Sequence, residues 1–108
     1  MKYRVEITPS AEADIEAAYN FIRKDSPPNA AKWRQGLYDV AETLSRISEG
    51  CSLALESREL DFVVRQKFYG RYRILFTVEG NRVVVLNVRH GSRRVMPAGE
   101  IQPPDLTL

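Results

Sequence analysis

The chain has 108 residues, 44% of them hydrophobic, which suits one ordinary globular domain. Its net charge of +2 is unevenly spread: residues 1–60 hold eight Lys/Arg against ten Asp/Glu, and residues 61–108 hold eight against four. One cysteine (Cys51), one histidine (His90) and no long apolar run leave no internal disulfide, no metal or cofactor set, no signal peptide and no membrane span, so a cytoplasmic, cofactor-free protein is expected.

Residues 2–8 alternate Tyr3, Val5, Ile7 against Lys2, Arg4, Glu6, the pattern of a half-buried strand. Thr8 then caps a helix with Pro9 in its first turn and Glu12 and Asp14 near its positive end. Ala11, Ile15, Ala18, Tyr19 and Ile22 form its apolar stripe, and it ends near Lys24 or Asp25. Ser26-Pro27 starts a second helix running to about Ser48, with the stripe Trp33, Leu37, Val40, Ala41, Leu44 and Ile47. So short a turn makes the two helices an antiparallel hairpin, and Gly36 is expected to mark close packing on the first helix. Residues 49–60 connect helix to sheet, with Leu53 and Leu55 as the expected anchors of this loop.

Residues 61–94 carry three β-branched and aromatic runs, about 61–68, 71–78 and 82–90, broken at Tyr69-Gly70 and Glu79-Gly80-Asn81. A three-residue loop at 79–81 pairs Tyr72 with Val88, Ile74 with Leu86 and Phe76 with Val84, keeping apolar side chains together. On that register Trp33, Leu37, Leu44, Ile15, Ile22, Tyr72, Ile74, Phe76, Val84 and Leu86 make one core. The opposite face then carries Arg71, Arg73, Leu75, Val85, Asn87 and Arg89, with Arg65 and Lys67 from the neighbouring strand. Between Arg65 and Arg94 eight basic residues meet one acid, Glu79, so a basic face for phosphates or an acidic protein is expected. The order strand, helix, helix, three strands gives an α+β class: a helical hairpin on a mostly antiparallel four-stranded sheet. Residues 1–94 form the domain, and 95–108 read as an extended or mobile tail offering Ile101, Leu106 and Leu108 to a partner.

The pieces YRVEITPSAEADIEAAYNFI, DSPPNAAKW, YRILFTV and VVVLNVRHGSRR, in this order and spacing, resemble the RelE/ParE toxin superfamily, and within it the ParE-like, plasmid-stabilisation branch. The resemblance spans nearly all of residues 3–94. It implies the toxin of a type II toxin–antitoxin pair, held as a hetero-oligomer by a cognate antitoxin. ParE-like members act on DNA gyrase by binding, without accepted catalytic residues. RelE-like members cleave mRNA on the ribosome; in that alternative Arg65, Lys67, Arg73 and His90 would be the catalytic set. A toxin fold without activity, serving only as the antitoxin's partner, is the third reading. RNase members carry an aromatic near the C-terminus, whereas Gly91 follows His90 here and residues 92–97 hold none, which favours the gyrase reading. On that reading nothing is catalytic, and Arg65, Lys67, Arg71, Arg73, Arg89, Arg93 and Arg94 bind target or antitoxin.

Overall fold

The computed structural model describes residues 3–103, so Leu106 and Leu108 lie outside the described residues. The chain runs β1 (Arg4–Ile7), α1 (Pro9–Asp25), α2 (Pro27–Ile47), β2 (Arg65–Tyr69), β3 (Tyr72–Glu79) and β4 (Arg82–His90). Short 3-10 turns lie at Ser48–Gly50, Leu55–Glu59 and Ala98–Glu100. The sheet order is β1-β4-β3-β2, antiparallel except for the parallel β1–β4 pair. The expected α+β class is observed, and the hairpin of α1 and α2 covers one face of this sheet.

Local chemistry explains the helix starts. The Thr8 hydroxyl accepts the Ala11 N–H at 3.1 Å, and the Ser26 hydroxyl accepts that of Asn29 at 3.3 Å. Pro9 and Pro27 each follow a cap, where a missing N–H costs nothing. The helices are held together by apolar packing and by Arg34, which lies 3.8 Å from the Tyr19 ring centre and 3.4 Å from Glu16. Gly36 packs elsewhere than expected. It faces Tyr69 of β2, whose hydroxyl donates to the Trp33 carbonyl of α2 at 3.0 Å.

The β3–β4 register differs from the sequence expectation. Glu79 pairs with Arg82, so the loop is the two residues Gly80-Asn81, with Gly80 at φ +58°. Gly70 at φ +56° plays the same part between β2 and β3; both are two-residue hairpins with glycine first, the arrangement a left-handed residue there requires. Ile74 pairs with Val88 and Phe76 with Val85, because Leu86 is an extra residue between the Leu75–Asn87 and Phe76–Val85 pairs. This bulge resets the phase of β4, so that Val83, Val85 and Val88 all face the helices. Thr8 sits at the bulge and donates its hydroxyl to the Val85 carbonyl at 2.8 Å. Beyond the end of β1, Asp14 of α1 takes the Val88 N–H at 2.9 Å and the Asn87 amide at 3.0 Å.

Two cores result instead of one. Ile15, Leu37, Leu44, Ile74, Phe76, Val83, Val85 and Val88 fill the helix side. Val84 and Leu86, expected with them, join Leu75, Val64, Ala54, Met96 and Ile101 on the other side. That second face is therefore apolar at its centre and covered by residues 52–64 and 95–101, where an open basic face was expected. In the covering loop Ala54 and Glu56 are buried, whereas Leu53 and Leu55 are 58% and 54% exposed, the reverse of the expected anchoring. Ile101 is buried within the chain and not offered to a partner.

Candidate functional site

Each sequence-predicted residue has a definite place. Arg73 lies on the second face and is only 7% exposed. Its guanidinium makes a two-pronged ion pair with Glu56, at 3.0 and 2.8 Å, and also donates to the Gln66 side chain at 3.1 Å. Glu56 accepts the Met96 N–H at 3.0 Å as well. Burial alone would raise the Glu56 carboxyl, but the hydrogen bonds from Arg73 and Met96 and the Arg73 charge outweigh it and bring the pKa to about 2. The covering loop, the tail and β3 thus meet at one carboxylate, a residue the sequence reading did not single out. The only signal was an acid in the otherwise apolar stretch Leu53-Ala54-Leu55-Glu56.

Arg65 and Lys67 sit opposite Phe76 and Ile74 and share their helix-side face, not the face of Arg73. Arg65 donates to the Cys51 carbonyl at 2.8 Å, and Lys67 lines a hollow of about 350 Å³ with Cys51, Ile47 and Phe68. Burial pushes the Cys51 thiol pKa up, against the pull of Lys67 and Arg65.

His90 pairs with Tyr72 across the sheet, ring centres 5.1 Å apart in an edge-on contact, while Arg73 pairs with Arg89 in the next row. Successive side chains on a strand point to opposite faces, so His90 and Arg73 are separated by the sheet. His90 Nδ1 accepts the Ser92 N–H at 3.1 Å and lies 2.7 Å from the Ser92 hydroxyl. The turn and the segment after β4 are pinned together, since Gly91 donates to the Arg71 carbonyl at 2.6 Å. A Cβ on Gly91 would stand 3.1 Å from that carbonyl, so the close approach favours glycine. Arg71, Arg93 and Arg94 are exposed here and Arg89 is half-buried. Burial first, and the Arg93 charge second, lower the Arg89 guanidinium from its ordinary pKa.

The structure therefore gathers Arg71, Arg89, His90, Arg93 and Arg94 at one end of the sheet, and leaves Arg65 and Lys67 apart from them. Beside this cluster a cavity of about 470 Å³ opens between α1 and β4, walled by Ala17, Ala18, Val88 and the 67% exposed Phe21.

The sequence model of the ParE toxin of the type II toxin–antitoxin system, parDE, matches residues 5–95. The chain belongs to the ParE toxin family. No curated protein is significantly similar to it in sequence. Among solved structures it is similar to a chain of the chromosomal ParDE toxin–antitoxin system from P. aeruginosa, with a TM-score of 0.68 and 20% identity over 82% of this chain and 96% of that one. It is also similar to a chain of the toxin–antitoxin complex RelBE2 from Mycobacterium tuberculosis, with a TM-score of 0.58 and 22% identity over 83% of this chain and 99% of that one. Both likenesses are of fold. In this ParE family member no helix among the described residues is long and apolar enough to cross a membrane.

Proposed function

We propose that this chain is the cytoplasmic toxin of a type II pair, that it inhibits DNA gyrase by binding it, and that a cognate antitoxin holds it in a hetero-oligomer. The observation that carries the binding mode is the buried Arg73–Glu56 pair. Metal-free RNA cleavage needs a base, an acid and a cation converging on one phosphate. Here Arg73 is occupied by a carboxylate, and His90 faces the other side of the sheet. Of the cations singled out in the sequence, exposed Arg71, Arg93 and Arg94 with half-buried Arg89 instead make a compact charged surface, which suits steering and holding an acidic protein. That the structurally similar chains come from the ParDE and RelBE2 toxin–antitoxin systems supports an antitoxin as the partner.

Induced expression with two readouts tests this reading: supercoiling by gyrase, and mRNA cut at ribosomal A-site codons. Loss of supercoiling without mRNA fragments is expected. His90→Gln should retain toxicity, because no proton moves in a binding mechanism, whereas a general acid or base would be worth about 10²- to 10⁴-fold. Charge reversal of Arg93 and Arg94 together should weaken toxicity in a graded, salt-dependent way. A-site fragments combined with an inactive but folded His90→Gln protein would rule out the gyrase reading.

A further inference from the structure

Two cavities of about 470 Å³ each meet at the end of β4 and share Arg89, Ser92 and Arg93. The first is the slot between α1 and β4. Its walls are mostly apolar; besides the shared Arg89, Ser92 and Arg93, its described lining holds Tyr72 and two polar groups of opposite kind, Asp14 and His90. His90 Nδ1 accepts from Ser92, so the neutral ring carries its proton on Nε2, a donor with no partner among the described residues. Asp14 engages Asn87 and Val88 through Oδ2, leaving Oδ1 as an acceptor.

The second cavity is cationic. Arg89, Arg93 and Arg94 line it with Ser92, and Glu100 is the one acid among the described residues of its lining. Arg93 and Arg94 have no acidic partner within 4.0 Å among the described residues. Arg89 spends one Nη2 hydrogen on the Arg94 carbonyl at 2.8 Å, and its Nε–H is buried with no acceptor among the described residues. A buried donor left unpaired among like charges is costly unless an anion completes it.

Both volumes fall in the range of small-ligand sites. Guanidinium forks match phosphate oxygens. A mostly apolar slot that sets the His90 donor and the Asp14 acceptor beside Ala17, Ala18 and Val88 matches a nucleobase, which has flat faces and a polar edge. We propose that the paired cavities bind a nucleoside polyphosphate, with the base in the α1–β4 slot and the phosphates among Arg89, Arg93 and Arg94. A peptide pairing an aliphatic anchor with an acidic side chain is the competing occupant. Its aliphatic anchor, unlike the edge of a base, would offer nothing to Asp14 and His90, which favours the nucleotide. This inference does not rest on the gyrase and antitoxin readings, although it draws on the same arginines, Arg89, Arg93 and Arg94.

Calorimetry and amide NMR on the full chain at low ionic strength test it, with ADP, pyrophosphate and a Leu/Asp peptide as probes. ADP is expected to shift amides at both Ala17–Ala18 and Ser92–Arg94 and to bind about tenfold more tightly than pyrophosphate. Arg93→Ala should weaken ADP by about tenfold, the value of a charge-assisted hydrogen bond. Ala17→Phe fills the slot from an exposed helix position, so it should reduce ADP to the affinity of pyrophosphate and leave pyrophosphate unchanged. No ADP binding, equal affinity for ADP and pyrophosphate, shifts confined to the arginine segment, or a peptide binding more tightly than ADP would each overturn the proposal.

Discussion

At the scale of single residues, Glu56 and Arg73 decide how the second face is organised. Both are nearly fully buried, at 2% and 7% exposure, and each satisfies the other's charge. Such a pair adds little compared with an apolar replacement, but removing one partner strands a buried charge, at a cost of about 3–5 kcal/mol. Arg73→Met combined with Glu56→Leu is therefore expected to be far less destabilising than either single change in urea titrations. Additive losses would show that the two side chains do not act as a unit. Acid provides a second test. The folded Glu56 pKa of about 2 lies below its ordinary 4.5, so its ionised form contributes stability in full above about pH 4.5. That contribution is lost as pH falls from there through about 2. Glu56→Gln should flatten the acid limb of the stability curve relative to the parent chain, and an unchanged limb would place the acid sensitivity elsewhere.

At the scale of elements, α2 meets β2 through an absent side chain. A Cβ on Gly36 would overlap the Tyr69 hydroxyl, which must pass Gly36 to reach the Trp33 carbonyl. In a bare helix Gly36→Ala would gain about 1 kcal/mol of propensity. Here the displaced Tyr69 loses its hydrogen bond and its packing against Trp33, so a net loss of about 1–2 kcal/mol is expected. Tyr69→Phe in the same chain should recover part of that loss, because the hydroxyl is the atom nearest the new methyl. A Gly36→Ala protein more stable than its parent would refute the contact. The glycine was legible in the sequence as a close approach, but its partner was not, since a helix pattern does not say which neighbour lies against each turn. The caps at Thr8 and Ser26 and the places of the two hairpin turns could be read directly, because their chemistry is local, but the second turn has two residues where three were expected. The bulge at Leu86 could not, since it is set by Thr8 and by the packing of α1. A hint was present all the same. Ile74-Leu75-Phe76 and Val83-Val84-Val85-Leu86 are unbroken apolar runs, and such runs mark strands buried on both faces. Assuming strict alternation instead turned one set of residues into a solvent face that the molecule does not have. The same assumption grouped Arg65 and Lys67 with Arg73, so the predicted cation set divides between the two faces.

For the whole molecule, the family match ends at residue 95, yet the packing continues past it. Met96 and Ile101 are buried against Leu75, Val84 and Leu86, and the Met96 N–H completes the Glu56 carboxylate. Burying each of these two side chains is worth about 1.5–3 kcal/mol. A chain ending at Arg94 would lose both, expose part of two central strands, and leave Glu56 one hydrogen bond short. We expect it to be less stable by about 3–6 kcal/mol, a large share of the 5–15 kcal/mol typical of a domain. Urea midpoints of the two chains, with equal slopes, would measure this directly. A milder variant separates apolar burial from chain length: Met96→Ala and Ile101→Ala in the full chain should together reproduce most of the loss. Equal midpoints for the truncated and full chains would mean that the tail rests on the sheet without holding it, and that residues 1–94 are a complete folding unit. A large loss in the truncated chain with none in the double alanine variant would assign the effect to the Met96 backbone bond to Glu56 rather than to the apolar contacts.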